Sequence, residues 1–381
     1  MRPNAFKRGL QTIHLWLGII LAIPFVAIGL TGSILLFQRE ADVLMVPAPT
    51  AVGERQKLDA IIEAAKTGAP EGMRMGRVEF REGFPATFQF QTGGRPNRSA
   101  TVYVDPVSLQ IMGPPVPVER GTVMRSIQSL HEFLWLPPAY GLRVTGYVGV
   151  VLTFMGISGL YLWWPRGAGW RNAFTIRKGA RGFVLNRDLH HVVGFWGSSV
   201  FLILCISGIY LTLPETFNAA VSTILPGGSY QLVEPAPGFV ASQGPVDADG
   251  AVAIAKSAVP DATPIGIQPP EQPGRPIIVY MEPNGFEPAI PPIMVTINPE
   301  TAELGFIDNP STYSVRDQFL NWNYALHFAV GLPMAWKVIV FFSGFLPLIL
   351  GVTGILIWWL RRQARQGVRD SVPGGVTQPA E

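Results

Sequence analysis

The chain reads as an α-helical integral membrane protein with four transmembrane helices and two small α+β domains outside the bilayer, arranged as an internal parallel duplication. Three observations carry that reading. Charged residues are 14% of the 381 and mean hydropathy is +0.28, whereas globular chains carry about 25% charged residues, so part of this chain is solvated by lipid. Four apolar stretches are each long enough to cross a hydrocarbon core of about 30 Å. The sequence also repeats itself once, at a period far too long for a solenoid.

In chain order, residues 1–12 form an N-terminal segment, 13–37 the first span and 38–130 the first outward domain. An interfacial helix and the second span occupy 131–164, a basic loop 165–189 and the third span 190–213. The second outward domain covers 214–325, a second interfacial helix with the fourth span 326–360, and the tail 361–381. Arg2, Lys7 and Arg8, six basic residues from Arg166 to Arg187, and Arg361, Arg362, Arg365 and Arg369 flank the spans on one side. By the positive-inside bias that side is cytoplasmic, with both termini there and both domains in the periplasm of a bacterial inner membrane. The net charge of +3 reflects this topology and makes no case for nucleic acid. The apolar run of the first span is too long for a cleavable signal, so it reads as an uncleaved anchor.

An offset of 176 places His14 on His190, Gly18 on Gly194 and Gly32 on Gly208. LHEFLWLP (130–137) matches LHFAVGLP (326–333), and GISGLYLWWPR (156–166) matches GVTGILIWWLRR (351–362). Each domain opens on an Ala-rich amphipathic stretch, LDAIIEAAKTGAP (58–70) and DGAVAIAKSAVPDA (249–262), followed by alternating strand-like runs. Each closes on strand, turn and strand, YVDPVSLQI (103–111) and TINPETAEL (296–304), with Asp-Pro or Asn-Pro at the turn. A unit of helix, α+β domain and helix used twice in one orientation gives a pseudo-twofold axis along the membrane normal.

All five histidines, His14, His131, His190, His191 and His327, sit at ends of apolar segments. Ionisable groups at membrane depth are costly and functional, and imidazole suits a haem iron held between two helices. The repeat brings His14 and His190 to equivalent depths at the inner face, and His131 and His327 at the outer face, each of the latter five residues before a Leu-Pro that ends its helix. One interfacial histidine alone reads as an anchor; four related by the repeat read as two axial ligand pairs, hence two haems. His191 lies about 100° around the helix from His190, and the repeat favours His190, with His191 the alternative. The single cysteine, Cys205, lies in a span, so neither a disulfide nor C-x-x-C-H attachment exists and the haems are of noncovalent b type. Glycines on the spans fit helix packing and porphyrin clearance alike. The ten Trp form interfacial belts, with Trp135, Trp322 and Trp336 near the outer histidines; Arg125, Arg143 and Lys337 suit haem propionates or a plain surface position equally.

With the spans, the HxxxG starts, the paired LHxxxxLP segments and the two domains, the chain resembles, over essentially its whole length, the PepSY-associated transmembrane family of bacterial inner-membrane proteins. The likeness is greatest to its FoxB-type ferric-siderophore reductases. That resemblance implies two b haems, the inner bound by His14 and His190 and the outer by His131 and His327, beneath two periplasmic PepSY domains. It implies one-electron reduction of a ferric siderophore; the chelator holds Fe(III) far more tightly than Fe(II), so reduction releases iron.

No Ser-His-Asp order, H-E-x-x-H or phosphate loop is present, and no G-x-G-x-x-G for a dinucleotide. Electrons are therefore expected from quinol or from a separate cytoplasmic reductase. Three other readings stand beside the reductase: a cytochrome b subunit linking quinol to a partner oxidoreductase, a haem-free regulatory membrane protein, and an iron or siderophore permease. The last needs a polar path that these spans lack.

Overall fold

The computed structural model describes residues 5–38, 52–81, 83–92, 99–113, 116–117, 122–165, 170–227, 234–237, 244–270, 272, 274–284 and 291–370. The chain forms two compact units, a helical one (1–37, 126–218, 326–381) and a sheet-based one (38–125, 219–325).

In the helical unit, α1 (Ala5–Ile20) and α2 (Ala22–Leu35) are bent by 63° across Leu21. The segment expected as one straight span, 13–37, is thus two helices meeting at a bend, as in a broken span or a re-entrant loop. Pro24 supplies the reason: it has no N–H for the Ile20 carbonyl, and its ring crowds the turn below. Three helical segments pass alone as membrane spans by length and composition, Pro138–Trp163, Gly182–Thr212 and Met334–Gln366, and the bent pair makes up to four. Only 22%, 17% and 17% of their most apolar windows is buried within the protein, so most of that surface is left for lipid. This is a membrane protein.

Helix α4 (Thr122–Phe133) leads into α5 (Pro138–Trp163) through Leu134 and Trp135, both at positive φ (52° and 59°). Helix α10 (Val315–Phe328) leads into α11 (Met334–Ser343) through Ala329 and Gly331, also at positive φ. The Leu-Pro that follows forces each break, because proline cannot continue the preceding ladder and restricts the residue before it. After the short α6 (Trp170–Ala173), α7 runs Gly182–Thr212, starting eight residues before the expected 190, and α8 is Pro214–Ser222. The end of the basic loop is helical because Asp188, buried on α7, takes a two-pronged bond from Arg177 Nε and Nη2 at 2.8 Å each. Helix α12 (Leu346–Asp370) completes the fourth span after a break at Gly344. There the backbones of α2 and the fourth span nearly touch: a Cβ on Gly29 would lie 2.5 Å from the Gly344 carbonyl oxygen, and Ser33 Oγ donates to the Phe341 carbonyl at 2.7 Å.

The sheet unit contains eight antiparallel strands in the order β4-β3-β2-β1-β5-β6-β7-β8. They are β1 (Arg74–Glu79), β2 (Ala86–Gln91), β3 (Ser99–Val104), β4 (Val116–Pro117), β5 (Ala262–Gln268), β6 (Ile277–Pro283), β7 (Ile293–Ile297) and β8 (Leu304–Asp308). Segments read from sequence as two domains therefore share one sheet. Each four-stranded half would expose an edge, and pairing β1 to β5 (Val78 opposite Ile267, Glu79 opposite Gly266) removes both. Gly266 permits that approach, since a Cβ there would stand 2.8 Å from the Val78 carbonyl oxygen. Strand side chains alternate inward and outward, and the inward set, with Phe88, Phe90, Val78, Val104, Val279, Met281 and Ile297 at its centre, packs under α3 (Leu58–Thr67) and α9 (Ala248–Ala258) in one core.

The two helices meet at their N-termini by exchanging caps. Asp59 accepts from the Ala248 and Asp249 amides (3.1 and 3.4 Å), and Asp249 accepts from the Leu58 and Asp59 amides (2.9 and 3.1 Å). Burial holds the Asp59 carboxyl above the usual carboxylate range; its helix-end hydrogen bonds oppose this, and Asp249 and Asp247 add to it. The two strand-closing turns are built alike. Asp105 and Asn298 each accept from the backbone two and three residues on, and Leu109 and Ala302 follow at φ 60°.

Candidate functional site

Each of four histidine rings in the helical unit reaches a hydroxyl on a neighbouring helix through Nδ1. His14 (α1) lies 2.9 Å from Ser158 Oγ (α5), His190 (α7) 3.0 Å from Thr353 Oγ1 (α12), and His327 (α10) 2.9 Å from Ser207 Oγ (α7). His131 (α4) lies 3.2 Å from Thr31 Oγ1 (α2) and 2.9 Å from the Ile28 carbonyl oxygen. In all four the hydroxyl residue is followed by glycine: Thr31-Gly32, Ser158-Gly159, Ser207-Gly208 and Thr353-Gly354.

A carbonyl oxygen only accepts, so at His131 the Ile28 carbonyl places the proton on Nδ1. Each hydroxyl also lies within reach of a carbonyl of its own helix: Thr31 of Ala27 (2.5 Å), Ser158 of Met155 (3.2 Å), Ser207 of Ile203 (2.8 Å) and Thr353 of Ile349 (2.7 Å). A hydroxyl that donates there accepts from the ring, which puts the proton on Nδ1 and leaves the Nε2 lone pair free. Among the described residues no hydrogen bond engages Nε2 of any of the four. An imidazole held at Nδ1–H with a bare Nε2 is the arrangement metal-ligating histidines use.

The rings meet in pairs. The centroids of His131 and His327 are 6.3 Å apart with planes at 56°. Two imidazoles ligating one iron from opposite sides, at about 2 Å per Fe–N bond, have centroids about 6 Å apart, so this spacing suits a shared metal. His190 lies within electrostatic reach of both His14 and His191, and His191 within reach of Asp188 and Arg361. The structure thus brings the rings of His131 and His327 together and sets His14, His190 and His191 in one neighbourhood. On α7, His190 and Ser207 are separated by about 25 Å of helix axis, so the two pairs occupy different depths. Between those depths, Leu21, Phe25 and Ile28 of the bent segment and Phe201 and Cys205 of α7 pack with Val148 and Leu152 into an apolar cluster.

Among the described residues no group of three or more His, Cys, Asp or Glu could hold a metal ion by itself. A pair of imidazoles supplies only axial ligands, and the donor set fits a metal whose equatorial plane arrives with it, as in a porphyrin. Other expected contributors are placed less decisively. Trp135 is exposed and its Nε1 donates to the Ser126 carbonyl; Trp336 Nε1 donates to the Leu326 carbonyl; Trp322 is exposed. Lys337 is buried with Nζ 5.7 Å from the Phe37 ring centre, and Arg143 is exposed.

Sequence reasoning missed the four hydroxyls and the Arg177/Asp188 clamp. The signal for the hydroxyls was present in GLTG (29–32), GISG (156–159), CISG (205–208) and GVTG (351–354), whose shared feature is Ser or Thr before the last glycine. Residues 11–361 match the model of the PepSY-associated TM region family. No curated protein matches the chain.

Proposed function

The chain belongs to the PepSY-associated TM region family, and from that premise and the paired histidines we propose that it is a two-haem b oxidoreductase of the bacterial inner membrane. It reduces ferric siderophore in the periplasm and so releases Fe(II). In this reading the chain is an internal duplication with both termini cytoplasmic, electrons are supplied by quinol or a cytoplasmic reductase, and the sheet unit receives the siderophore. The observation that carries the proposal is the facing of His131 and His327 at 6.3 Å, with Nδ1 of each committed to a hydroxyl.

Haem b, bound between each pair, would supply a one-electron couple. The protein's residues do the rest. His14 with His190, and His131 with His327, would hold the two haems through Nε2. Ser158, Thr353 and Ser207, and at His131 the Ile28 carbonyl with Thr31 beside it, hold the proton on Nδ1, which raises ligand basicity and fixes ring orientation. The cluster around Phe25, Leu152 and Phe201 keeps water and ions out between the two depths. No protein acid, base or nucleophile is required, since the reaction changes the charge of iron and breaks no covalent bond.

The test is an optical spectrum of the purified full-length chain, oxidised and dithionite-reduced, followed by anaerobic ferric hydroxamate or catecholate siderophore. Expected are b-type bands for two haems and their reoxidation on addition of the chelate, with an Fe(II) trap reporting release. Reduced haem that persists in excess ferric chelate would favour the cytochrome b subunit over the reductase. A protein supplied with haem that shows no Soret band would overturn both.

A further inference from the structure

Each of the four imidazoles also rests against the glycine that follows its hydroxyl partner. A Cβ built on Gly159 would stand 3.3 Å from His14 Cε1, on Gly354 3.5 Å from His190 Cε1, on Gly208 3.5 Å from His327 Cε1, and on Gly32 2.9 Å from His131 Cε1. Oxygen and bare Cα therefore act as one device: the glycine lets the ring come close, and the hydroxyl before it hydrogen-bonds to Nδ1.

The four copies are not equivalent. At His131 the Ile28 carbonyl, at 2.9 Å, is nearer to Nδ1 than the Thr31 hydroxyl at 3.2 Å. A carbonyl can only accept, so that ring keeps both its tautomer and a partner if the hydroxyl is removed. At His14 the Ser158 hydroxyl, at 2.9 Å, is the one hydrogen-bond partner of Nδ1 among the described residues. Without it the Nδ1–H faces an apolar helix surface unpaired, a costly state, and the ring is free to turn or to exchange tautomers.

We infer that Ser158 is the positioning residue of His14, alone in fixing the tautomer and plane of that ring, whereas Thr31 duplicates at His131 what the Ile28 carbonyl already does. This rests on the reading of His14 and His131 as haem ligands. Loss of the bond at His14 weakens haem retention in that pair by about 10- to 100-fold, the usual effect of removing a hydrogen-bond partner from a metal-bound histidine. It also makes Nε2 a poorer electron donor, which favours the ferrous state.

The experiment compares full-length wild type, Ser158→Ala, Ser158→Thr and Thr31→Val, purified in detergent after expression with ample haem. Haem per chain, the low-spin ferric EPR envelope and the midpoint potentials are read for each. Expected for S158A is partial loss of one of two haems, with a changed EPR envelope and an upward shift of one midpoint potential only. S158T, which keeps the acceptor, restores the wild-type values, and T31V, whose ring retains the Ile28 carbonyl, changes all three readouts less than S158A does. A two-haem wild type whose S158A variant is unaltered in all three readouts, or whose T31V variant is altered as strongly as S158A, overturns the inference and leaves the reductase reading standing. A wild type without haem removes that reading and this inference with it.

Discussion

The helical unit and the sheet unit solve opposite packing problems. In the sheet unit the apolar side chains point inward, Phe88, Val78 and Val279 are fully buried, and most polar groups lie at caps, turns and the outer surface, with Thr296 and Asn323 as buried exceptions. In the helical unit the apolar side chains largely face outward, and the interior carries Thr31, Ser158, Ser207, Ser343 and Thr353 together with the histidines. Water drives the first arrangement by expelling apolar surface. Lipid offers no such drive between helices, so close glycine contacts and side-chain hydrogen bonds hold the spans instead. The difference teaches where damage should appear: a core change in the sheet unit costs folding stability, and a polar change among the spans costs the proposed haems.

The most severe test of that division is His327→Ala. It should remove one haem entirely and leave the other, with the sheet unit's thermal unfolding unchanged; haem content and differential scanning calorimetry on the same sample check both halves. Retention of two haems would mean that the wrong axial groups have been chosen. Phe88→Ala, at the centre of the sheet core, should cost about 3–5 kcal/mol while haem per chain stays at the wild-type level, read by denaturant unfolding and absorbance. If haem is lost first, the two units do not divide the work as described.

A smaller effect is expected at the closest helix approach. Gly29→Ala drives a Cβ onto the Gly344 carbonyl, an overpacking of about 1–3 kcal/mol that should lower the melting temperature in detergent. An unchanged melting temperature would show that the Gly29/Gly344 contact relaxes freely. Smallest is the cap exchange: Asp59→Ala or Asp249→Ala should each cost about 1 kcal/mol, and the double variant less than the sum because both act at one junction. The pH dependence has a definite sign. Since burial raises the Asp59 carboxyl in the folded state, its contribution is present at low pH and lost as pH rises through that raised value. Melting curves of wild type minus Asp59→Asn should therefore fall with increasing pH through the carboxylate range; a rise would mean that the helix-end hydrogen bonds outweigh burial.

Much of this could be read from particular residues before any coordinates. The Asp-Pro and Asn-Pro turns, the Ala-rich helices and the Leu-Pro breaks are local features, and local sterics write them into composition. Pro24 is also local, but the apolar run through it reads as one unbroken span, so its bend was missed. What escaped reading was long-range. Nothing local to Glu79 or Gly266 says that β1 and β5 pair, and nothing near Asp59 says that its acceptor oxygens serve a helix that starts almost two hundred residues later. Likewise the final Ser/Thr-Gly of each quartet looked like a packing motif until the histidine rings stood over it.

By itself the sequence determined a lipid-solvated chain with apolar helical segments, α+β segments and histidines at the ends of apolar runs, because hydropathy, periodicity and proline act over a few residues. Only the tertiary structure decided that the two α+β segments share one sheet, that His190 meets Thr353 while His191 lies within electrostatic reach of Asp188 and Arg361, and that Nδ1 is the nitrogen of each of the four rings that meets a helix oxygen. Those outcomes depend on edges, carbonyls and hydroxyls from distant parts of the chain meeting within hydrogen-bonding range, and that proximity is a property of the folded molecule.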